Sequence, residues 1–226
     1  GRLGLGAVLG SKHLKAICIY GKGGQEIKDR KAYFKAFTDI HQKALTTDLM
    51  KKYHDLGTPI GVAGMNAFKG IPTLNLQNAV SEDIESLTGE AFAQRNLIRK
   101  TACAGCPVGC IHIGQFRREF GPGYEYEAIS VSYDYELIFS LGTFLGIKTS
   151  DAVLEMIEAV EAYGLDAISA GVVLGWATEA FQTGLVDERQ TLVPLVFGDQ
   201  KNYLKALKHI SDRTNDFYRA LGDGSA

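Results

Sequence analysis

Apolar positions recur at intervals of three and four along three stretches of the chain, and each stretch predicts a helix. From about Asp29 the series Phe34, Phe37, His41, Ala44 and Leu45 opens the helical part. Val153, Leu154, Ile157 and Val160 repeat the pattern, and Tyr203, Leu207, Ile210, Phe217 and Leu221 close it. Residues 167–181, AISAGVVLGWATEAF, are apolar nearly all round, which predicts a central helix covered on several sides. The opening GRLGLGAVLGSKHLKAICIY reads differently: a glycine-rich turn runs into the β-prone AICIY, bounded by Gly21, Gly23 and Gly24, and predicts a loop feeding a strand. The segment from Leu56 to Val80 is rich in Gly, Pro and Asn. Together with a cysteine-bearing segment whose tail runs to Tyr126, it reads as a long functional loop on a helical scaffold. The predicted fold class is mainly α.

Composition narrows the setting. At 226 residues and 46% hydrophobic the chain can bury one large core or two small ones, and no apolar run reaches the roughly 18 residues of a membrane span. A net charge of -2, with Lys and Arg scattered, lacks the basic stripe that a phosphate backbone demands, so neither nucleic acid nor a membrane is an expected partner. Three of the four cysteines are clustered, which is no disulfide framework, and no signal peptide is evident, so a reducing cytoplasm is expected. The chain opens on Gly1 and stops at DGSA just after a helical stretch, and reads as a piece of a longer protein.

The densest chemistry lies in TACAGCPVGCIH. Cys103, Cys106 and Cys110 can converge from a turn onto one metal centre, and Pro107, Gly105 and Gly109 keep that turn out of a regular helix. Two readings stand open. A structural zinc site would take Cys103, Cys106, Cys110 and His112, although zinc modules usually space their ligands as two separated pairs. A 4Fe-4S cluster with three local thiolates and a distant fourth suits the spacing better. Cys18 is the only other cysteine, and its β-prone apolar neighbourhood predicts a buried, inert thiol, so the fourth ligand is expected outside this chain.

Three further motifs have both a structural and a functional reading. The opening loop allows backbone amides to approach an anion, with Arg2 and Lys12 supplying charge, but taken alone a plain glycine turn explains it better, and no helix clearly follows it. In EAYGLDAIS, Glu161 ends one helix, Gly164 suits the left-handed residue past it, Leu165 packs back and Asp166 caps the next helix. That junction could also present carboxylates and amides to a polar heterocycle. In YEYEAIS, Glu125 and Glu127 share a face only if the segment is extended, and a carboxyl near a metal centre in an apolar pocket could move protons. Tyr124, Tyr126, Tyr133 and Tyr135 make that neighbourhood aromatic.

The opening GRLGLGAVLGSKHLKAI, then Gly57, Thr58, Asn66, Gly70, Pro72, Thr73 and Asn75, then CAGCPVGC, EYEA and EAYGLD follow one another in an order and spacing that resemble the aldehyde ferredoxin oxidoreductase family. The resemblance runs over essentially the whole chain. It implies the multihelical second domain of that family (25–226), preceded by the loop-strand end of a β-rich, pterin-binding first domain (1–24).

It further implies tungsten, or molybdenum, held by two pterins, with a 4Fe-4S cluster alongside. Cys103, Cys106 and Cys110 would be cluster ligands, with the fourth cysteine downstream of this chain. Arg2, Leu3, Gly4, Gly6 and Ala7 match the loop against the pterin phosphates and a bridging magnesium. Glu161, Gly164, Leu165 and Asp166 match a motif that hydrogen-bonds one pterin, with Glu161 in place of the usual Asp. Glu127 matches the catalytic glutamate, with Ala128 in place of Thr, and residues around YDYELIFSL form an insertion relative to the family's spacing. The implied reaction oxidises an aldehyde to a carboxylate and sends electrons through the cluster to ferredoxin or a similar carrier. The cysteine loop would therefore sit beside the pterin loop, and the implied assembly includes the rest of the parent polypeptide and a homodimer. The alternative from another class is a non-catalytic iron-sulfur electron-transfer subunit.

Overall fold

The computed structural model describes residues 4–24, 26–123 and 125–224. In chain order its elements are α1 (Leu5–Ser11), α2 (Arg30–Thr46), α3 (Asp48–Leu56), α4 (Gly61–Ala67), α5 (Gly89–Arg95), β1 (Leu97–Thr101), β2 (Ile111–Gly121), β3 (Glu125–Tyr133), α6 (Tyr135–Leu141), α7 (Ser150–Ala162), α8 (Ala167–Gln182), α9 (Glu188–Thr191), α10 (Gln200–Asp212) and α11 (Asp216–Asp223). The protein is mainly α, as its pattern predicts.

Side-chain caps set most helix starts. Asp29 accepts from the Ala32 amide to begin α2, Asp134 from Leu137 to begin α6, Asp166 from Ser169 to begin α8 and Asn215 from Tyr218 to begin α11. Stops are as specific. α7 ends in a Schellman motif: Gly164 at φ 68 donates to Glu161 O and Leu165 donates to Val160 O, at 3.1 and 2.9 Å. The apolar row from Tyr203 to Leu221 reads as one series but folds as two helices, because Arg213 turns left-handed at φ 52 and Asn215 caps a new start.

The apolar α8 is the central helix, with Ala170, Val173, Leu174, Ala177 and Ala180 buried. Its two glycines let neighbours press against the helix backbone. A β-carbon at Gly171 would lie 2.2 Å from Ser140 O on α6, and one at Gly175 would lie 2.5 Å from Phe144 Cε1. α7 packs alongside through Val153, Leu154, Ile157 and Val160, all at zero exposure. The segment YDYELIFSL supplies the end of β3 and α6, and places Leu137, Ile138 and Leu141 in this core.

Four expectations need correction. The strand over AICIY does not form: among the described residues the sheet holds β1, β2 and β3 alone, so a strand there has no ladder partner. Ile17, Ile19 and Tyr20 are exposed. For the same reason Cys18 is exposed rather than buried. A helix does follow the opening glycines, since Gly4 at φ 66 starts α1. The tail of the cysteine segment is a long hairpin rather than a loop, in the antiparallel order β1-β2-β3, with His112 opposite Tyr133 and Arg118 opposite Glu127. Its inward face carries only His112, Gly114 and Phe116, too polar and too small a set to read as a buried strand face before the partner is known.

The Gly57–Asn75 motif has a structural explanation. A β-carbon at Gly57 would lie 3.1 Å from His112 Nδ1, and Asn66 brackets Ser81 through both its amide and its carbonyl. Leu74, Asn75 and Leu76 are all left-handed, an uncommon run held by Leu74 and Asn75 amides donating to Thr143 and Phe144 carbonyls and by Asn75 Nδ2 donating to Glu179 at 2.6 Å.

Candidate functional site

The opening glycine loop and the EAYGLD junction, separated by most of the chain, meet in space. Gly4, Leu5, Gly6 and Ala7 line one side of a cavity of about 130 Å³, and Glu161, Gly164 and Leu165 line the other. A second cavity of about 310 Å³ continues from Gly4 past Leu165, Asp166 and Ser169 to Gly222 and Gly224. Gly4 needs its left-handed φ, but Gly6 has no such demand, and a β-carbon added there would meet no atom within 4 Å. Among the described residues nothing requires a glycine at position 6, and its missing side chain leaves the backbone open to the first cavity. Asp166 caps α8, whose positive N-terminal end opens toward the second cavity. Arg2 and Leu3 lie outside the described residues.

The cysteine loop occupies another corner. Cys103 and Cys106 are exposed and Cys110 is half-buried, all three as free thiols. The Cys106 amide donates to Cys103 O at 3.0 Å, and Gly105 and Gly109 both take positive φ, which shapes the two turns between the thiols. Two histidines reach in from α2 and α3: His41 Nε2 to Gly105 O at 3.2 Å and His54 Nδ1 to Val108 O at 2.6 Å. Among the described residues no three His, Cys, Asp or Glu side chains converge where a single metal ion could sit. The zinc reading also loses its fourth ligand. His112 is fully buried, with Nε2 on His54 O at 3.0 Å and Nδ1 facing Tyr133 Oη at 3.3 Å, and burial lowers its pKa.

Glu127 is extended, as the shared-face argument requires, but no apolar pocket encloses it. It is exposed on β3, where Arg118 pairs with it at 2.8 Å. Arg118 also reaches Glu158 on α7 at 3.2 Å, one turn before Glu161, and its bonds to Glu127 hold the guanidinium still more firmly protonated. Glu127 is thus tied to the helix that ends at the glycine-lined cavity.

The sequence pattern described as "Aldehyde ferredoxin oxidoreductase, domains 2 & 3" matches residues 35–226. The chain belongs to the aldehyde ferredoxin oxidoreductase family. The tungsten-containing aldehyde ferredoxin oxidoreductase of Thermococcus kodakarensis is 30% identical over the whole chain and 36% of that protein, and its Pyrococcus abyssi counterpart is 32% identical over 83% of the chain and 30% of that protein. The aliphatic sulfonate oxidoreductase, WOR-like subunit, of Pyrococcus furiosus is 30% identical over 98% of the chain and 35% of that protein. The chain therefore spans about a third of the length of these relatives. Its fold is similar to a chain of the active-site complex BamBC of benzoyl coenzyme A reductase in complex with 1,5 dienoyl-CoA, with a TM-score of 0.63 and 16% identity over 98% of this chain and 34% of that one.

Within this family member the two candidate regions sit at opposite ends of one layer. β2 and α7 run side by side in the same direction: a β-carbon at Gly114 would lie 3.2 Å from Leu154 Cδ1, and Arg118 reaches Glu158. No residue of the cysteine loop lines either of the cavities beside the opening glycines. The expected direct neighbourhood of cysteine loop and pterin loop is therefore not made within this chain. Sequence reasoning missed Arg118, His41 and His54. Arg118 could have been found once β2 and β3 were paired in register; the two histidines carry no local signal.

Proposed function

We propose that this chain is the helical, cofactor-binding part of a tungsten- or molybdenum-pterin oxidoreductase that oxidises aldehydes to carboxylic acids and passes the electrons through a 4Fe-4S cluster to ferredoxin or a similar carrier. The observation that carries the proposal is the cavity shared by Gly4–Ala7 and Glu161–Leu165, because a glycine loop and a carboxylate-bearing helix junction offer the two things a pterin phosphate and heterocycle need. The names of the relatives supply the metal. Residues 1–24 would end the pterin-binding first domain and residues 25–226 would form the second.

Arg2, Leu3, Gly4, Gly6 and Ala7 would face the pterin phosphates and their magnesium, and Glu161, Gly164, Leu165 and Asp166 the heterocycle. When bound, the metal-pterin supplies a two-electron acceptor for the aldehyde oxidation. Glu127 would take the proton released in that oxidation, with Arg118 as the counter-ion that orients its carboxylate. Cys103, Cys106 and Cys110 would each ligate one iron of a cluster, a soft thiolate set whose members do not have to meet at one point, with the fourth thiolate from the rest of the parent polypeptide.

The test is metal and pterin analysis of the full-length protein prepared without oxygen, with aldehyde-dependent reduction of ferredoxin as the activity. Glu127→Gln should abolish turnover while tungsten or molybdenum and iron stay at wild-type content. Iron without tungsten or molybdenum would replace this reading with the electron-transfer subunit, and unchanged turnover in Glu127→Gln would remove the glutamate from the chemistry.

A further inference from the structure

Each of the two turns between the cysteines is held from outside the loop by one histidine. The first turn, Cys103 to Cys106, closes on itself through the Cys106 amide and leaves the Gly105 carbonyl facing His41 Nε2 at 3.2 Å. The second, Cys106 to Cys110, presents the Val108 carbonyl to His54 Nδ1 at 2.6 Å. Among the described residues these are the only side-chain hydrogen bonds that reach residues 102–110. A carbonyl oxygen only accepts, so each ring must carry a proton on the nitrogen that faces the loop. The two histidines therefore act as donors through different nitrogens.

The surroundings fit this use. His41 is packed on Phe37 one turn earlier, with ring centroids 3.8 Å apart, which restrains the imidazole. A β-carbon at Gly109 would lie 3.2 Å from His54 Nδ1, so the glycine that turns the loop also leaves the ring its place. His54 grips the chain twice, since its own carbonyl accepts from His112 Nε2 at 3.0 Å, just beyond Cys110. Ring and backbone of one residue thus fix the chain on both sides of the half-buried thiol.

We propose that His41 and His54 are positioning residues that hold the two inter-cysteine turns in the conformation that presents Cys103, Cys106 and Cys110 to the cluster. The cluster part rests on the function proposed above; the loop restraint does not. His41→Leu and His54→Leu remove the donors. His41→Gln and His54→Asn return an amide N–H near the positions of the ring Nε2–H and Nδ1–H.

The decisive experiment uses the full-length protein. In the metal-stripped, reduced form, iodoacetamide labelling of each cysteine is followed by peptide mass spectrometry. Losing one hydrogen bond should speed Cys110 labelling about two- to tenfold in His54→Leu, and Cys103 and Cys106 similarly in His41→Leu, with return toward wild type in the amide variants. Exposed Cys18 should not change. In the cluster-loaded form the leucine variants should shift the electron paramagnetic resonance spectrum and the midpoint potential, and the amide variants should restore them. Equal labelling rates in wild type, leucine and amide variants would overturn the proposal. If a leucine variant does not fold, the alanine variant at the same position takes its place: faster labelling than in the amide variant upholds the donor role and equal labelling overturns it. A wild-type protein that holds no iron would remove the cluster reading, while the labelling series would still judge the histidines.

Discussion

Gly6→Leu separates what the fold needs from what the cavity needs. Position 6 lies in the first turn of α1 with an ordinary helical φ, and a β-carbon there meets nothing within 4 Å. Replacing glycine with leucine in a helix gains up to about 1 kcal/mol in propensity, so the chain's own stability should hold or rise slightly. The added side chain projects from a wall of the cavity of about 130 Å³ between residues 4–7 and 161–165. If a pterin approaches the backbone there, crowding should cost about 1–3 kcal/mol, or about five- to a hundredfold weaker retention. The assay pairs tungsten and molybdenum analysis and pterin fluorescence of the full-length protein with thermal unfolding of its metal-free form. Gly4→Leu is the contrast, because its left-handed φ should cost about 1–2 kcal/mol in the fold as well. A folded Gly6→Leu protein with full metal and pterin content would refute the assignment of this cavity, and a strongly destabilised metal-free form would refute the claim that the position is open.

Three more outcomes are expected. Gly171→Ala should destabilise by about 1–2 kcal/mol in chemical unfolding, because the clash 2.2 Å from Ser140 O outweighs the propensity gain, whereas Gly64→Ala on α4, with open space around it, should be neutral or stabilising. Burial raises the Asp134 pKa above its ordinary value of 3.8, so the unfolded chain releases that proton first and stability falls as pH rises from about 4 through the folded value. Asp134→Asn keeps a cap for α6 and removes that loss, and its stability relative to wild type should rise between acidic and neutral pH in paired melts. Arg118→Ala should cost about 1 kcal/mol at low salt and less at high salt, since the side chains of Arg118, Glu127 and Glu158 keep 37, 45 and 26% of their exposure; a salt-independent loss would point to packing instead.

The helices were legible because their signals are local. The apolar face of Val153, Leu154, Ile157 and Val160, the all-round apolarity of 167–181 and the Gly164–Asp166 junction act within a few residues, and the structure follows them. The break at Arg213 and Asn215 was harder, since a capping asparagine inside an apolar row looks like one polar position. Strands have no such self-sufficiency. AICIY has the composition of a strand and stays irregular for lack of a partner, while the plainer segment of β2 pairs on both sides.

The sequence by itself determined the family, the mainly helical class and the chemical identity of the candidate ligands, because motif order, periodicity and thiol spacing are properties of the chain alone. Only the tertiary structure decided which of those residues meet. It joined Gly4–Ala7 to Glu161–Leu165, engaged Glu127 with Arg118, withdrew His112 into the core and left the cysteine loop at the far end of the β2–α7 layer. Those outcomes depend on how a hairpin registers and how a helix lies along it, and such contacts between distant segments leave no mark on the local pattern of either one.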